Sequence, residues 1–267
     1  MLPFWLSIGV LSLVQAVLVA LPRAPAPALV RRLNSRWWAL VLPLSIVIVV
    51  TAIALESASA RFLTYLALVA VPPLAIAALG WVMRGGRPHA ALAVVPLFFC
   101  AWVLEGSLAG ETSALALSAL ACVTLGWLVA CGVPPRWLKL GIYAMAIIDA
   151  WLIAGDLLQG PNAVLNAAAP AADLPRLQFA AFGSAVMGFG DLFIAATLGA
   201  LLASDRRLQL QGAALAAVIC PGFDLLFFFI DQSPATVPIA LTLATLELLR
   251  RPLDLGNKRG KAGDVGR

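Results

Sequence analysis

Nine runs of apolar residues fill most of this chain, and they constrain its fold more than any other feature. Bounded by charges, Pro, Gly or polar clusters, they fall at 3–21, 37–55, 62–83, 89–105, 113–131, 138–158, 178–203, 209–230 and 233–249. A helix needs about 20 predominantly apolar residues to cross the hydrocarbon layer. The pattern therefore predicts an all-α membrane protein, a nine-transmembrane helical bundle. Composition excludes a water-soluble globule: 62% of the 267 residues are hydrophobic and 12% charged, whereas soluble domains average about 45–50% and about 25%. No connection is long enough to fold alone, and the largest outer piece, 159–177, is rich in Pro, Ala and Asn. The first run is followed by Ala24-Pro25-Ala26, as a secretory signal is followed by its cleavage site. No positive residue precedes it, however, and the arginines come after, so it is read as a retained helix.

Orientation follows from the basic residues. Of the 18 Lys and Arg, all but Arg61 and Arg176 fall in alternate connections or the tail: Arg23, Arg31, Arg32, Arg36; Arg84, Arg87; Arg136, Lys139; Arg206, Arg207; and the run from Arg250 onward. Adding or losing one helix would scramble every downstream connection. The predicted N-terminus is outside and the C-terminus cytoplasmic, in the plasma membrane if the cell is bacterial. The net charge of +5 is this bias, with some attraction to the lipid bilayer surface, and is no argument for nucleic acid. Cys100, Cys122, Cys131 and Cys220 lie inside apolar runs without a CxxC pair, which indicates neither a disulfide framework nor a thiolate metal site. His89 is the only histidine, which excludes a two-histidine zinc site. Neither metal nor cofactor is expected.

Chemistry must then reside in the polar residues that the runs carry. A carboxylate at a helix centre costs about 2.5–3.5 kcal/mol on insertion scales, and three qualify: Asp149, Asp191 and Asp224. Asp149 lies about 15 Å from the cytoplasmic end of the sixth run and Asp191 about 18 Å from that of the antiparallel seventh, at 1.5 Å per residue. Asp224 lies nearer the outer face. Two carboxyls at one depth on consecutive helices form a candidate dyad. They cannot both ionise readily, so they share a proton, and such a pair can activate water without metal. Around the second acid the sequence reads Gly188-Phe189-Gly190-Asp191. The two glycines cost roughly 1 kcal/mol each in helix propensity but allow another backbone to approach closely. Spacing alone fits equally well a hydrogen-bonded buried pair or a proton relay.

Three motifs resemble the YD, GxGD and PAL motifs of the presenilin and signal peptide peptidase family: Ile148-Asp149-Ala150-Trp151, Gly188-Phe189-Gly190-Asp191 and Pro234-Ala235-Thr236. The stretch 187–207 is similar to the seventh span of signal peptide peptidase, and Gly160-Pro161 resembles presenilin. The resemblance covers residues 140–250; the first five runs share only their number with the family. It implies an intramembrane aspartyl protease with Asp149 and Asp191 as the catalytic pair. Gly188, Phe189, Gly190, Pro234, Ala235, Thr236 and Pro238 would then meet the substrate. It further implies a five-helix part over 1–137, a catalytic four-helix part over 138–251 and a disordered basic tail over 252–267. The predicted topology matches signal peptide peptidase, so the implied substrates are transmembrane helices with a cytoplasmic N-terminus or signal-peptide remnants. The oligomeric state is left open. Two departures stand out: Ile148 replaces the tyrosine of YD, with Tyr143 six residues earlier, and Thr236 replaces the leucine of PAL. A second register, Pro238-Ile239-Ala240-Leu241, keeps the leucine with one insertion. In either register the prolines leave carbonyls without helical donors at the helix entrance.

Other readings compete. Type IV prepilin peptidases also carry GxGD, but their lysine two residues past the aspartate is Phe193 here. A rhomboid-type serine protease would need Ser184 to meet His89. A transporter or channel in which Asp149, Asp191 and Asp224 relay protons or bind cations explains Asp224, which the protease leaves unused. A homologue that binds helices without cutting them is a further alternative.

Overall fold

The computed structural model of the chain describes residues 2–24, 35–56, 58–230 and 232–263. It is mostly helical, with ten α-helices and one β-hairpin among the described residues. Helix α1 is Phe4–Ala20, α2 is Val41–Leu55, α3 is Ala58–Ala77, α4 is Val94–Val103 and α5 is Leu108–Gly132. Then follow α6 (Pro135–Ala154), α7 (Gln159–Ala167), strands β1 (Phe179–Phe182) and β2 (Ala185–Gly188), α8 (Phe189–Leu202), α9 (Arg206–Asp224) and α10 (Val237–Gly263). Local chemistry sets several starts. The Ser107 hydroxyl accepts from Gly110 N–H at the head of α5, Asp205 accepts from Leu208 N–H at the head of α9, and Pro135 occupies the first position of α6. These are favoured N-terminal residues because each first-turn N–H lacks a helical acceptor.

Five helices are long and apolar enough to cross a membrane: Arg36–Leu55, Ala58–Val82, Leu108–Gly132, Pro135–Ala154 and Arg206–Phe228. They coincide with the second, third, fifth, sixth and eighth apolar runs. The first and fourth runs become shorter apolar helices, Phe4–Ala20 and Pro88–Val103. Segment 159–177, the largest connection between runs, contains the short helix α7. Helix α10 extends to Gly263, so the segment expected as a disordered tail is helical over most of its length. Once nucleated, a helix adds one hydrogen bond per residue. Of the basic residues used for orientation, Arg31, Arg32 and Arg267 lie outside the described residues.

The seventh run departs most from expectation. Instead of one helix over 178–203, residues 179–188 form an antiparallel hairpin in register Phe179↔Gly188 to Phe182↔Ala185, and the helix begins only at Phe189. Gly183 opens the two-residue turn at φ 60°, a conformation that costs other residues about 1–2 kcal/mol. Gly183, Gly188 and Gly190 all lower helix propensity over this stretch, and the hairpin finds partners that a lone helix would lack. Gly183 N–H donates to Glu111 of α5 at 2.7 Å and Ser184 N–H to the Ser7 hydroxyl of α1 at 3.2 Å.

Helix α8 is the hub. Residues from Leu192 to Gly199 are buried in an unbroken series, because α1, α5, α6, α9 and α10 all pack on it. Close approach depends on two glycines. A Cβ on Gly126 of α5 would stand 2.6 Å from Thr197 N of α8, and one on Gly199 of α8 would stand 2.5 Å from Val19 O of α1. Helices α3 and α4 pack on the other side of α5, while α2 leans on α6 and α7. At the end of the bundle where α1 and α8 finish and α9 begins, buried Gln209 ties the chain together. It donates to Pro22 and Gly199 carbonyls and accepts from Arg84 and Arg206.

Candidate active site

Helix α6 carries Asp149 and the first turn of α8 carries Asp191, and both line one cavity of about 750 Å³. The first turn of α8 approaches α6 closely, since a Cβ on Gly190 would stand 3.3 Å from Met145 Cε. Asp149 is 5% exposed, and its Oδ2 accepts a 2.6 Å hydrogen bond from the hydroxyl of Thr236, itself buried. Asp191 Oδ2 accepts from the N–H of Gly188, the residue that caps α8, at 3.1 Å. Third-position acids commonly reach back to the cap in this way, and the site stands at the positive end of the helix dipole. Among the described residues neither carboxyl makes a second side-chain hydrogen bond. Asp149 is thus held by Thr236 and Asp191 by the cap of its own helix.

The glycines act on this geometry directly. A Cβ on Gly188 would stand 3.0 Å from Asp191 Oδ2, and one on Gly190 would stand 3.3 Å from Met145 Cε on α6. Both therefore permit the close packing of the second carboxyl against its cap and of α8 against α6. Gly188, Phe189, Gly190, Ala235 and Pro238 line the cavity with the aspartates. Thr236 stands behind Asp149 as its donor. The carbonyls expected to be free near 234–238 are partly taken: Val237 N–H donates to Pro234 O and Gln15 Nε2 to Ala235 O. Tyr143 does not reach the aspartates; its hydroxyl donates to Glu247 of α10 at 3.1 Å, beside the Lys139–Glu247 ion pair.

Helix α1 contributes what the sequence analysis did not anticipate. Gln15 is buried, and its amide donates at 3.2 Å to the backbone carbonyls of both Asp191 and Ala235. The Ser12 hydroxyl donates at 2.6 Å to Asp224 Oδ2, and Asp224 lines the same cavity. The signal was present: Ser7, Ser12 and Gln15 interrupt an otherwise apolar run, the last two being three residues apart on one helical face. Ser184 and His89 are at opposite ends of the fold. Ser184 donates to Leu2 O beside the start of α1, whereas His89 follows the segment joined to the end of α1 by the Pro22–Met83 bridge. Phe193, at the position a prepilin peptidase would give to lysine, is buried. No group of three His, Cys, Asp or Glu side chains able to hold a metal ion occurs among the described residues.

No family model matches the chain, and neither does a curated protein or a solved structure.

Proposed function

We propose that this chain is an intramembrane aspartyl protease, nine-spanning and with its N-terminus outside, that hydrolyses peptide bonds within transmembrane segments or signal-peptide remnants. One observation carries the reading: Asp149 and Asp191, from different helices, line one cavity, each with one oxygen held by a donor. In this reading the ionised carboxyl takes a proton from water as the water oxygen attacks the scissile carbonyl. The protonated carboxyl donates to the carbonyl oxygen, and when the tetrahedral intermediate collapses a proton passes to the departing amine. The products are a carboxylic acid and an amine, which ionise to carboxylate and ammonium, and the pair again holds one proton.

Hydrolysis requires the substrate helix to unwind locally, since helical peptide bonds are shielded by their own hydrogen bonds. Strand β2 pairs with β1 on one edge, and its residues Val186, Met187 and Gly188 line the cavity beside Asp191. An unwound segment can pair there by strand addition, in place of the partly occupied carbonyls near 234–238. The test uses purified full-length protein in detergent with a model transmembrane peptide. Asp149→Ala and Asp191→Ala are each expected to abolish cleavage while Asp224→Ala retains it; cleavage that survives both but is lost with Asp224→Ala refutes the assignment.

A second reading, a proton- or cation-coupled transporter, is favoured by one observation: Asp224 shares the cavity with the other two aspartates. It predicts ion-coupled uptake in proteoliposomes that requires all three aspartates, with no peptide cleavage.

A further inference from the structure

The third motif departs from the family it resembles at Thr236, and the second consequential residue of the first motif, Ile148, lacks a hydroxyl beside Asp149. The fold links the two departures. Thr236 is 1% exposed, and its hydroxyl lies 2.6 Å from Asp149 Oδ2. It does not line the cavity, whereas its neighbours Ala235 and Pro238 do. The segment that presents it is fixed on the other side by Gln15, which holds the Ala235 carbonyl and the Asp191 carbonyl with the same amide nitrogen. A continuous polar path thus runs from the backbone of Asp191 through Gln15 and Ala235 to Thr236 and the side chain of Asp149.

We infer that Thr236 is a positioning residue for the aspartate pair, orienting Asp149 through its hydroxyl, and that it is not a substrate contact. This rests on the protease reading. A hydroxyl bound to Oδ2 holds one rotamer of the Asp149 carboxyl at the wall of the cavity that it lines. A leucine at this place would fill the volume but leave the buried carboxyl without its donor. The inference therefore opposes what the motif implies: restoring the family's leucine should harm this protein.

The experiment compares Thr236→Val, Thr236→Ser and Thr236→Leu in the full chain, with cleavage of a model transmembrane peptide and thermal unfolding as paired measurements. Val keeps the shape and removes the hydroxyl. Loss of a hydrogen bond to a buried carboxyl is expected to lower kcat about tenfold to a hundredfold in protein still folded at the assay temperature, with KM little changed and the unfolding midpoint lowered. Ser restores kcat, and Leu does not. A purely structural role would lower the midpoint and leave the kcat of the folded protein intact, and a substrate contact would move KM. Full kcat in Thr236→Val or Thr236→Leu, or a loss that Ser does not relieve, overturns the inference while leaving the protease reading intact. Wild-type protein as inert as Asp149→Ala overturns the reading beneath it, and a stability cycle of Thr236→Val with Asp149→Ala then decides the contact alone. Coupling between the two substitutions supports the Thr236–Asp149 bond, and strict additivity removes it.

Discussion

Replacing Gly126 by Ala tests whether the depth and direction of Asp191 are set by the packing of α8. The added Cβ would meet Thr197 N at 2.6 Å and Ala196 C at 2.7 Å, both backbone atoms of α8, and ordinary contact begins at 3.4 Å. Backbone cannot rotate aside, so α5 and α8 must part by about 0.8 Å. Overpacking of this kind costs about 1–3 kcal/mol, offset in part by the roughly 1 kcal/mol that Ala gains over Gly in a helix interior. A net destabilisation of about 0–2 kcal/mol is therefore expected from these two ranges. Function should suffer more, because Asp191 rides on the same helix and a displacement near 1 Å can cost about 10²-fold in rate. Gly132, on the same helix with nothing within 4 Å of its Cβ position, supplies the control. Thermal unfolding in detergent and the rate of peptide cleavage are measured for both variants. If Gly126→Ala matches Gly132→Ala in both, the argument that a bare backbone contact positions Asp191 is wrong.

Two further perturbations probe the elements around the pair. Gln15→Leu leaves the Ala235 carbonyl without its donor and should destabilise by about 1–3 kcal/mol while lowering kcat; an unchanged midpoint with unchanged turnover would show that the bridge is dispensable. Gly183→Ala forces a side chain into the turn at φ 60° and against the Ser7 hydroxyl. It should cost about 1–2 kcal/mol, read as a lower unfolding midpoint, and an unaltered midpoint would mean that the hairpin contributes nothing to stability.

Much of the helical layout was legible because length and apolarity dictate it. The runs at 37–55, 113–131, 138–158 and 209–230 begin within a few residues of where helices α2, α5, α6 and α9 or their leading turns begin. The hairpin was not legible, since Phe179, Ala180, Ala181 and Val186 are as apolar as any membrane helix and hydropathy is blind to backbone shape. Only the glycines at 183, 188 and 190 speak against a helix, and close approach of another backbone accounts for Gly188 and Gly190 equally well. For the candidate site, spacing along the helices puts Asp149 and Asp191 at one depth, and both line the same cavity. The roles of Thr236 and Gln15 were invisible because they depend on segments 87 residues and 176 residues distant along the chain.

The brevity of α8 bears on how water reaches the aspartates. Its 14 residues rise only about 21 Å, roughly 9 Å less than a typical hydrocarbon thickness of about 30 Å. The hairpin precedes it, and polar backbone of that kind is tolerated within a bilayer only where protein or water covers it. Because α1, α5, α6, α9 and α10 enclose α8, the neighbouring helices supply that cover, and the cavity lined by both carboxyls is the way in for solvent.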